Sequence, residues 1–149
     1  MNRLLEKERL ISGGRRILKT AVTALAAVAI AVGLLVTACL LNRPFHITGL
    51  QTLKIKETDR IEALRSQLLK LGFVIEVESD YSLRWDGTMQ SPQTAPSIAT
   101  FKDHRMAMAF APAAVRFPGI VIEDAAVVSK SYPDYWQHLA QAGFKIEEA

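Results

Sequence analysis

Residues 56–60 (Lys-Glu-Thr-Asp-Arg) place two cations and two carboxylates at the start of a predicted helix. The helix is predicted because an apolar face follows at spacings of three, four and three residues: Ile61, Leu64, Leu68 and Leu71. Side chains three or four positions apart share one face of a helix. Lys56, Glu57 and Arg60 can therefore converge on one small anion near the positive end of the helix dipole. This geometry suits a phosphorylated or carboxylated substrate.

Two arginines from separate segments extend this chemistry. Arg60 and Arg105 each offer a planar guanidinium that can hold a carboxylate or phosphate through two parallel hydrogen bonds, which lysine cannot do. Glu57 is a candidate acid or base, because enclosure in a pocket can raise the pKa of a carboxylate toward neutrality. Nearby cations, Lys56 and Arg60 among them, would lower the pKa. Taken singly, each residue also fits a structural role, such as a solvated helix start or a surface lysine.

Composition excludes several classes of protein. The chain has 149 residues, which is enough for one domain with its own core. The net charge is +3, and acidic residues lie among the basic ones, so no stripe for binding nucleic acid is present. The single cysteine, Cys39, cannot form an internal disulfide. None of the three histidines has a cysteine or histidine at ligand spacing, so neither a metal nor another cofactor is implied.

The run from Thr20 to Leu41 carries no charge and is long enough to cross a bilayer. Basic residues precede it, as they precede a spanning or signal segment, and residues 36–39 (Val-Thr-Ala-Cys) match a lipoprotein cleavage box. The run is also rich in alanine, which favours a helix buried in a core. A buried helix, a membrane or signal segment, and a damaged reading frame are all consistent with this stretch, because hydropathy does not separate them.

The remaining chain alternates between strand and helix patterns, which indicates a mixed fold of sheet and covering helices. Strands are predicted over six stretches: 45–50, 73–78, 82–85, 97–100, 120–123 and 144–147. Helices are predicted over three: 57–71, 104 to about 115, and 133–141. Asp103 is the predicted cap of the second helix, and Pro112 is expected to kink or shorten it.

Three segments in this order resemble the C-terminal part of EPSP synthase (3-phosphoshikimate 1-carboxyvinyltransferase): 54–60, 103–108 and 130–136. The resemblance covers residues 36–149 and leaves 1–35 as a leader outside the family. It implies an α+β fold of repeated βαβαββ units, about one and a half of them, behind an apolar helix. Full-length members are several times longer, so the chain resembles a fragment of a cytoplasmic enzyme, with membrane association through 20–41 as the alternative location.

The resemblance also implies an activity and residue roles. The family transfers the enolpyruvyl group of phosphoenolpyruvate to shikimate 3-phosphate and releases phosphate, on the pathway to chorismate and the aromatic amino acids, without a cofactor. Glu57 and Lys130 would handle the proton at the methylene carbon, and Arg60 and Arg105 would contact phosphoenolpyruvate. The other implied substrate contacts are Lys56, His104 and Thr52.

Two departures from the family pattern lead us to expect a chain that is inactive alone. The position of the aspartate that takes the proton of the attacking hydroxyl falls on Ala29, which has no titratable group. The half of the enzyme that carries the remaining phosphate contacts and closes over the substrates is absent from the sequence. Two alternatives are a complementing half that needs a separate N-terminal chain, and a membrane-tethered remnant without activity.

Overall fold

The computed structural model describes residues 30–50, 60–79 and 82–148. Three of the predicted site residues, Thr52, Lys56 and Glu57, lie outside these ranges, as does Ala29. The described helices are α1 (30–40), α2 (Arg60–Lys70), α3 (His104–Phe110) and α4 (Tyr135–Gln141). The strands are β1 (Phe45–Ile47), β2 (Glu76–Ser79), β3 (Ser82–Trp85), β4 (Ser97–Ile98) and β5 (Val121–Ile122). Short 3-10 turns cover Ala111–Val115 and Ala125–Val128. The predicted mixture of helix and sheet is confirmed.

Two small sheets carry the strands that the structure describes. The first is antiparallel in the order β1-β3-β2, with Phe45 opposite Trp85 and Val77 opposite Leu83. The second is a parallel pair, with Ser97 of β4 beside Val121 of β5. The connection between these parallel strands contains α3, so the residues just after β4 lead directly into the segment that carries Arg105.

The core forms where α1, α2 and the first sheet meet. Trp85 and Phe73 are its largest members, and their rings meet edge to face at 5.3 Å between centroids. The predicted apolar face of α2 is confirmed, because its members are buried: Ile61, Leu64, Leu68 and Leu71. A face of α1 packs against the same core: Val32, Leu35, Val36 and Cys39.

Two polar side chains fix α2 against β4. The buried Gln67 accepts a hydrogen bond at its Oε1 from the backbone N–H of Ala99, at 3.0 Å. Lys70 donates from Nζ to the carbonyl oxygen of Ser97 at 2.6 Å. These bonds satisfy backbone groups at the edge of the strand pair. They also set the position of α2, and therefore of Arg60 at its first turn, relative to the segment that follows β4.

The C-terminal end of α1 is capped by Arg116. One guanidinium nitrogen, Nη1, donates to the carbonyl oxygens of Cys39 (3.3 Å) and Leu40 (3.1 Å) and to Asn42 Oδ1 (2.9 Å). Cations are favourable at this end of a helix, where carbonyls lack intrahelical partners. Burial raises the pKa of the Cys39 thiol to about 12, although the charge of Arg116 opposes the shift.

The uncharged run 20–41 is described only in part. Residues 20–29 lie outside the described ranges, and residues 30–40 form the helix whose apolar face enters the core. Among the helices that the structure describes, none is long and apolar enough to cross a membrane. The three interpretations of the whole run 20–41 stay predictions.

Several predicted boundaries change. Helix α3 is shortened as expected, because the α-helix ends at Phe110 and a 3-10 turn containing Pro112 follows. The predicted strand 144–147 is wrong: Gly143, at φ +100°, ends α4, and the residues after it have no regular structure. A strand needs a neighbour with free backbone groups, and no ladder reaches 144–148 within the described ranges. The strand predicted over 82–85 is confirmed with the same bounds, and the remaining predicted strands are shorter in the structure.

Candidate anion-binding site

Asp103 lies at the centre of the site, immediately before α3. Its backbone is extended, at φ −112° and ψ 111°, and its Oδ1 accepts a hydrogen bond from the backbone N–H of Arg105 at 3.0 Å. This is the predicted N-cap, in which a carboxylate satisfies an N–H that has no intrahelical partner. The cap holds the carboxylate in a fixed direction.

The side chain of Arg105 folds back onto the same carboxylate. Its Nε lies 2.8 Å from Asp103 Oδ1, and its Nη2 lies 2.9 Å from Oδ2, so the pair is bidentate. Arg60 approaches from the first turn of α2, with its Nε 3.3 Å from Asp103 Oδ2. The exposed fractions of the Arg60, Arg105 and Asp103 side chains are 21%, 14% and 11%. Arg60 and Arg105 thus meet on one carboxylate of the chain itself, and their contact with a bound substrate stays a prediction.

The backbone before Asp103 is strained. Phe101 and Lys102 both have positive φ, at 50° and 57°, and the N–H of Asp103 donates to the carbonyl oxygen of Thr100 at 2.9 Å. This is the geometry of a tight turn that usually contains glycine or asparagine. Left-handed backbone costs roughly 1–2 kcal/mol per residue for other amino acids. Strain of this kind persists where the surrounding structure requires a particular conformation.

The environment of Asp103 has opposing effects on its pKa. Burial raises the pKa, but hydrogen bonds from Arg105 and the charges of Arg105 and Arg60 outweigh it, so the pKa lies below its ordinary value of 3.8. Asp103 is therefore ionised at neutral pH and neutralises part of the charge of the two guanidinium groups.

This lowered pKa predicts a loss of stability in acid. The ionised carboxylate stabilises the folded state fully above the unfolded pKa, and the contribution disappears as the pH falls through the lower folded pKa. We expect the free energy of unfolding of Asp103→Asn to fall less steeply than that of the unaltered chain between about pH 5 and pH 2.5. Urea unfolding at several pH values measures this. Asp134→Asn is the control, since Asp134 is exposed and makes no side-chain cap bond. Equal acid slopes for the two variants would contradict the assignment.

The other predicted site residues join this cluster less closely. His104 is half-buried at the first position of α3, and Lys130 is exposed in the turn after Ala125–Val128. That 3-10 turn packs on α3. Tyr135, at the start of α4, donates a hydrogen bond to the carbonyl oxygen of Met108 in α3 at 3.0 Å. No hydrogen bond or ion pair within the described ranges links His104 or Lys130 to the arginine pair. The structure brings Arg60 and Arg105 together, and the functional roles of all the predicted site residues stay predictions.

A groove of about 680 Å³ lies elsewhere on the surface. It is lined by residues 114–115, 118–121, 142–145 and 147–148, and none of Arg60, Asp103 and Arg105 contributes to it. Its walls are largely apolar or backbone, whereas a small polyanion needs convergent cations. The candidate site is therefore assigned to the arginine pair. Across the described part of the chain, no three side chains of the metal-ligating types cluster together.

Together, the mixed α+β fold and the paired arginines mark a candidate site for a small anion. Residues 6–139 match the family model of EPSP synthase (3-phosphoshikimate 1-carboxyvinyltransferase), and the chain belongs to that family. The match begins ahead of the boundary predicted at residue 36, and that boundary stays a prediction.

Curated relatives carry the same family name. The chain is 58% identical over 112 residues to a 3-phosphoshikimate 1-carboxyvinyltransferase of Bacteroides fragilis, which covers 75% of the chain and 27% of the relative. It is 39% identical over 100 residues to the protein of that name from Nostoc punctiforme, covering 67% of the chain and 22% of the relative. A Pseudomonas syringae relative is 35% identical over 116 residues, 76% of the chain and 28% of the relative. The chain thus spans about a quarter of the length of these relatives.

Proposed function

We propose that this chain contributes the phosphoenolpyruvate side of a 3-phosphoshikimate 1-carboxyvinyltransferase site. The convergence of Arg60 and Arg105 on one carboxylate is the observation that carries this proposal. Phosphoenolpyruvate bears a carboxylate and a phosphate, and guanidinium groups bind both through paired hydrogen bonds. Membership of the family supplies the reaction.

In the proposed reaction, a hydroxyl of shikimate 3-phosphate adds to the substituted alkene carbon of phosphoenolpyruvate while the methylene carbon gains a proton. Loss of a proton from the resulting methyl group then re-forms the double bond as the C–O bond to phosphate breaks. Arg60 and Arg105 would stabilise the negative charge of phosphoenolpyruvate throughout. Glu57 and Lys130 would move the proton at the methylene carbon, as the family resemblance implies.

The remaining proposed contacts surround these groups. Lys56 would contact the hydroxylated partner, His104 would line the phosphate region, and Thr52 would make a further substrate contact. The chain would fold as the repeated βαβαββ units of the family, act without a cofactor and work in the cytoplasm. These assignments rest on the family resemblance.

Activity is proposed to need residues from beyond the chain. Ala29 occupies the position where the family carries the base, and α2 and α3 supply only two guanidinium groups and one carboxylate to the described site. Enolpyruvyl transfer needs convergent charge on both substrates and exclusion of water. A separate chain carrying the rest of the enzyme is the proposed partner.

Release of phosphate from phosphoenolpyruvate and shikimate 3-phosphate tests the proposal. We expect no turnover from the chain alone, and measurable turnover when the rest of the Bacteroides fragilis relative is added as a separate chain. In that mixture, Arg105→Lys should lower kcat/KM about 100-fold or more, because one bidentate contact in the transition state is lost. Arg65→Lys, on the exposed face of α2 and paired with Glu62, is the matched control. Robust turnover by the chain alone, or no gain on mixing, would overturn the proposal.

A further inference from the structure

We propose that Asp103 is a positioning residue, which aligns Arg60 and Arg105 so that both present their outer N–H groups to one bound anion. The inference rests on the proposed function and adds a residue to it. In the alternative interpretation, the Asp103 carboxylate occupies the place of the ligand. The ligand must then displace Asp103 from the same guanidinium groups. The two interpretations predict opposite effects of removing the carboxylate.

The donor count favours positioning. A guanidinium has five N–H donors. Arg105 donates hydrogen bonds from Nε and Nη2 to Asp103, and Arg60 forms an ion pair with it, with Nε 3.3 Å from Oδ2. Three donors of Arg105 and the terminal N–H groups of Arg60 therefore make no hydrogen bond with Asp103. An incoming carboxylate or phosphate can bind these outer groups while Asp103 keeps the inner ones, so the two anions need not exchange.

Asp103 is itself held firmly enough to act as a reference point. Its Oδ1 caps α3, its own N–H is bonded to Thr100, and the two preceding residues are fixed in left-handed backbone. Both carboxylate oxygens are occupied, and the side chain is 11% exposed. A group fixed by its own packing and hydrogen bonds can set the geometry of the residues that contact a ligand.

Asp103 also joins two segments that are distant in the sequence. Arg60 begins α2, whereas Arg105 is in α3, and Gln67 and Lys70 already tie the body of α2 to β4. The contact from Arg60 to Asp103 extends this connection to the first turn of α2. Without the carboxylate, the two guanidinium groups would repel each other and lose their common orientation.

The test compares Asp103→Asn and Asp103→Ser with the unaltered chain, using phosphoenolpyruvate as the probe. Serine preserves an N-cap oxygen, so this variant removes the bridge while keeping α3 capped. Positioning predicts that the affinity falls about tenfold or more in both variants, since small misplacements of a binding group are costly. Asp86→Asn is the control, because Asp86 is an exposed turn residue and its loss changes the net charge equally. We expect this control to bind within about twofold of the unaltered chain. Equal or tighter binding by both Asp103 variants would overturn positioning and support competition.

A second measurement needs no ligand. The side-chain Nε–H signals of Arg60 and Arg105 in ¹⁵N NMR spectra report the bonds to Asp103, so both should shift in Asp103→Ser. An unchanged Arg60 signal would overturn the proposal even if binding were lost. If the unaltered chain failed to bind phosphoenolpyruvate while both signals shifted in the variant, the proposed function would fail and the alignment by Asp103 would stand.

Discussion

Replacing Phe73 with alanine is expected to lower the free energy of unfolding by about 3–5 kcal/mol. The ring is fully buried, meets Trp85 at 5.3 Å and Phe117 at 6.1 Å, and lies 5.4 Å from the guanidinium carbon of Arg116. Its removal would leave a cavity between α1, α2 and the first sheet and would loosen the arginine that caps α1. Urea unfolding followed by circular dichroism measures the loss.

Val115→Ala provides the comparison for this effect. Val115 is 79% exposed, so its truncation should change stability by less than about 0.5 kcal/mol. Similar losses in the two variants would show that Phe73 is not part of a packed core.

Gly72→Ala is expected to destabilise the chain by about 3 kcal/mol, which is large for the addition of one methyl group. Gly72 has φ +91°, and a Cβ there would lie 2.5 Å from the backbone oxygen of Gln90. The backbone of Gln90 cannot move away easily, because its N–H donates to the carbonyl oxygen of Gly72 at 2.8 Å. The midpoint of thermal or urea unfolding measures the effect.

Gly33→Ala is the matched control, since it makes the same chemical change in α1. A Cβ at Gly33 meets no atom within 4 Å, so alanine should stabilise the helix by up to about 1 kcal/mol. We expect the two substitutions to change stability in opposite directions. A loss of stability in Gly33→Ala would contradict the placement of α1, and a neutral Gly72→Ala would contradict the turn after α2.

Local patterns in the sequence predicted the parts of the fold that depend on neighbouring residues. The apolar spacing from Ile61 identified the buried face of α2, because helix period alone determines it. Asp103 was predicted as a cap because an aspartate ahead of a helix satisfies free N–H groups. The shortening of α3 at Pro112 follows from the missing N–H of proline.

Contacts between distant segments could not be predicted in this way. The strand predicted over 144–147 has suitable residues, but strand formation needs a partner, and its sequence does not identify one. Likewise, the family resemblance implied that Arg60 and Arg105 contact one substrate, but the sequence did not show that Asp103 contacts both. The sequence feature that could have indicated the contact with Arg105 is the position of Asp103, two residues before it. Arg60 reaches Asp103 through the packing of α2 on β4, which the sequence does not reveal.

A double-mutant cycle on phosphoenolpyruvate binding decides whether Arg60 and Arg105 act on one anion. The affinities of Arg60→Lys, Arg105→Lys and the double variant are compared with that of the unaltered chain, and Arg65→Lys paired with Arg105→Lys is the reference. We expect the double variant to depart from additivity by about 0.5–3 kcal/mol, as for groups that share a partner. Additive losses within about 0.5 kcal/mol, equal to the reference pair, would contradict a shared anion.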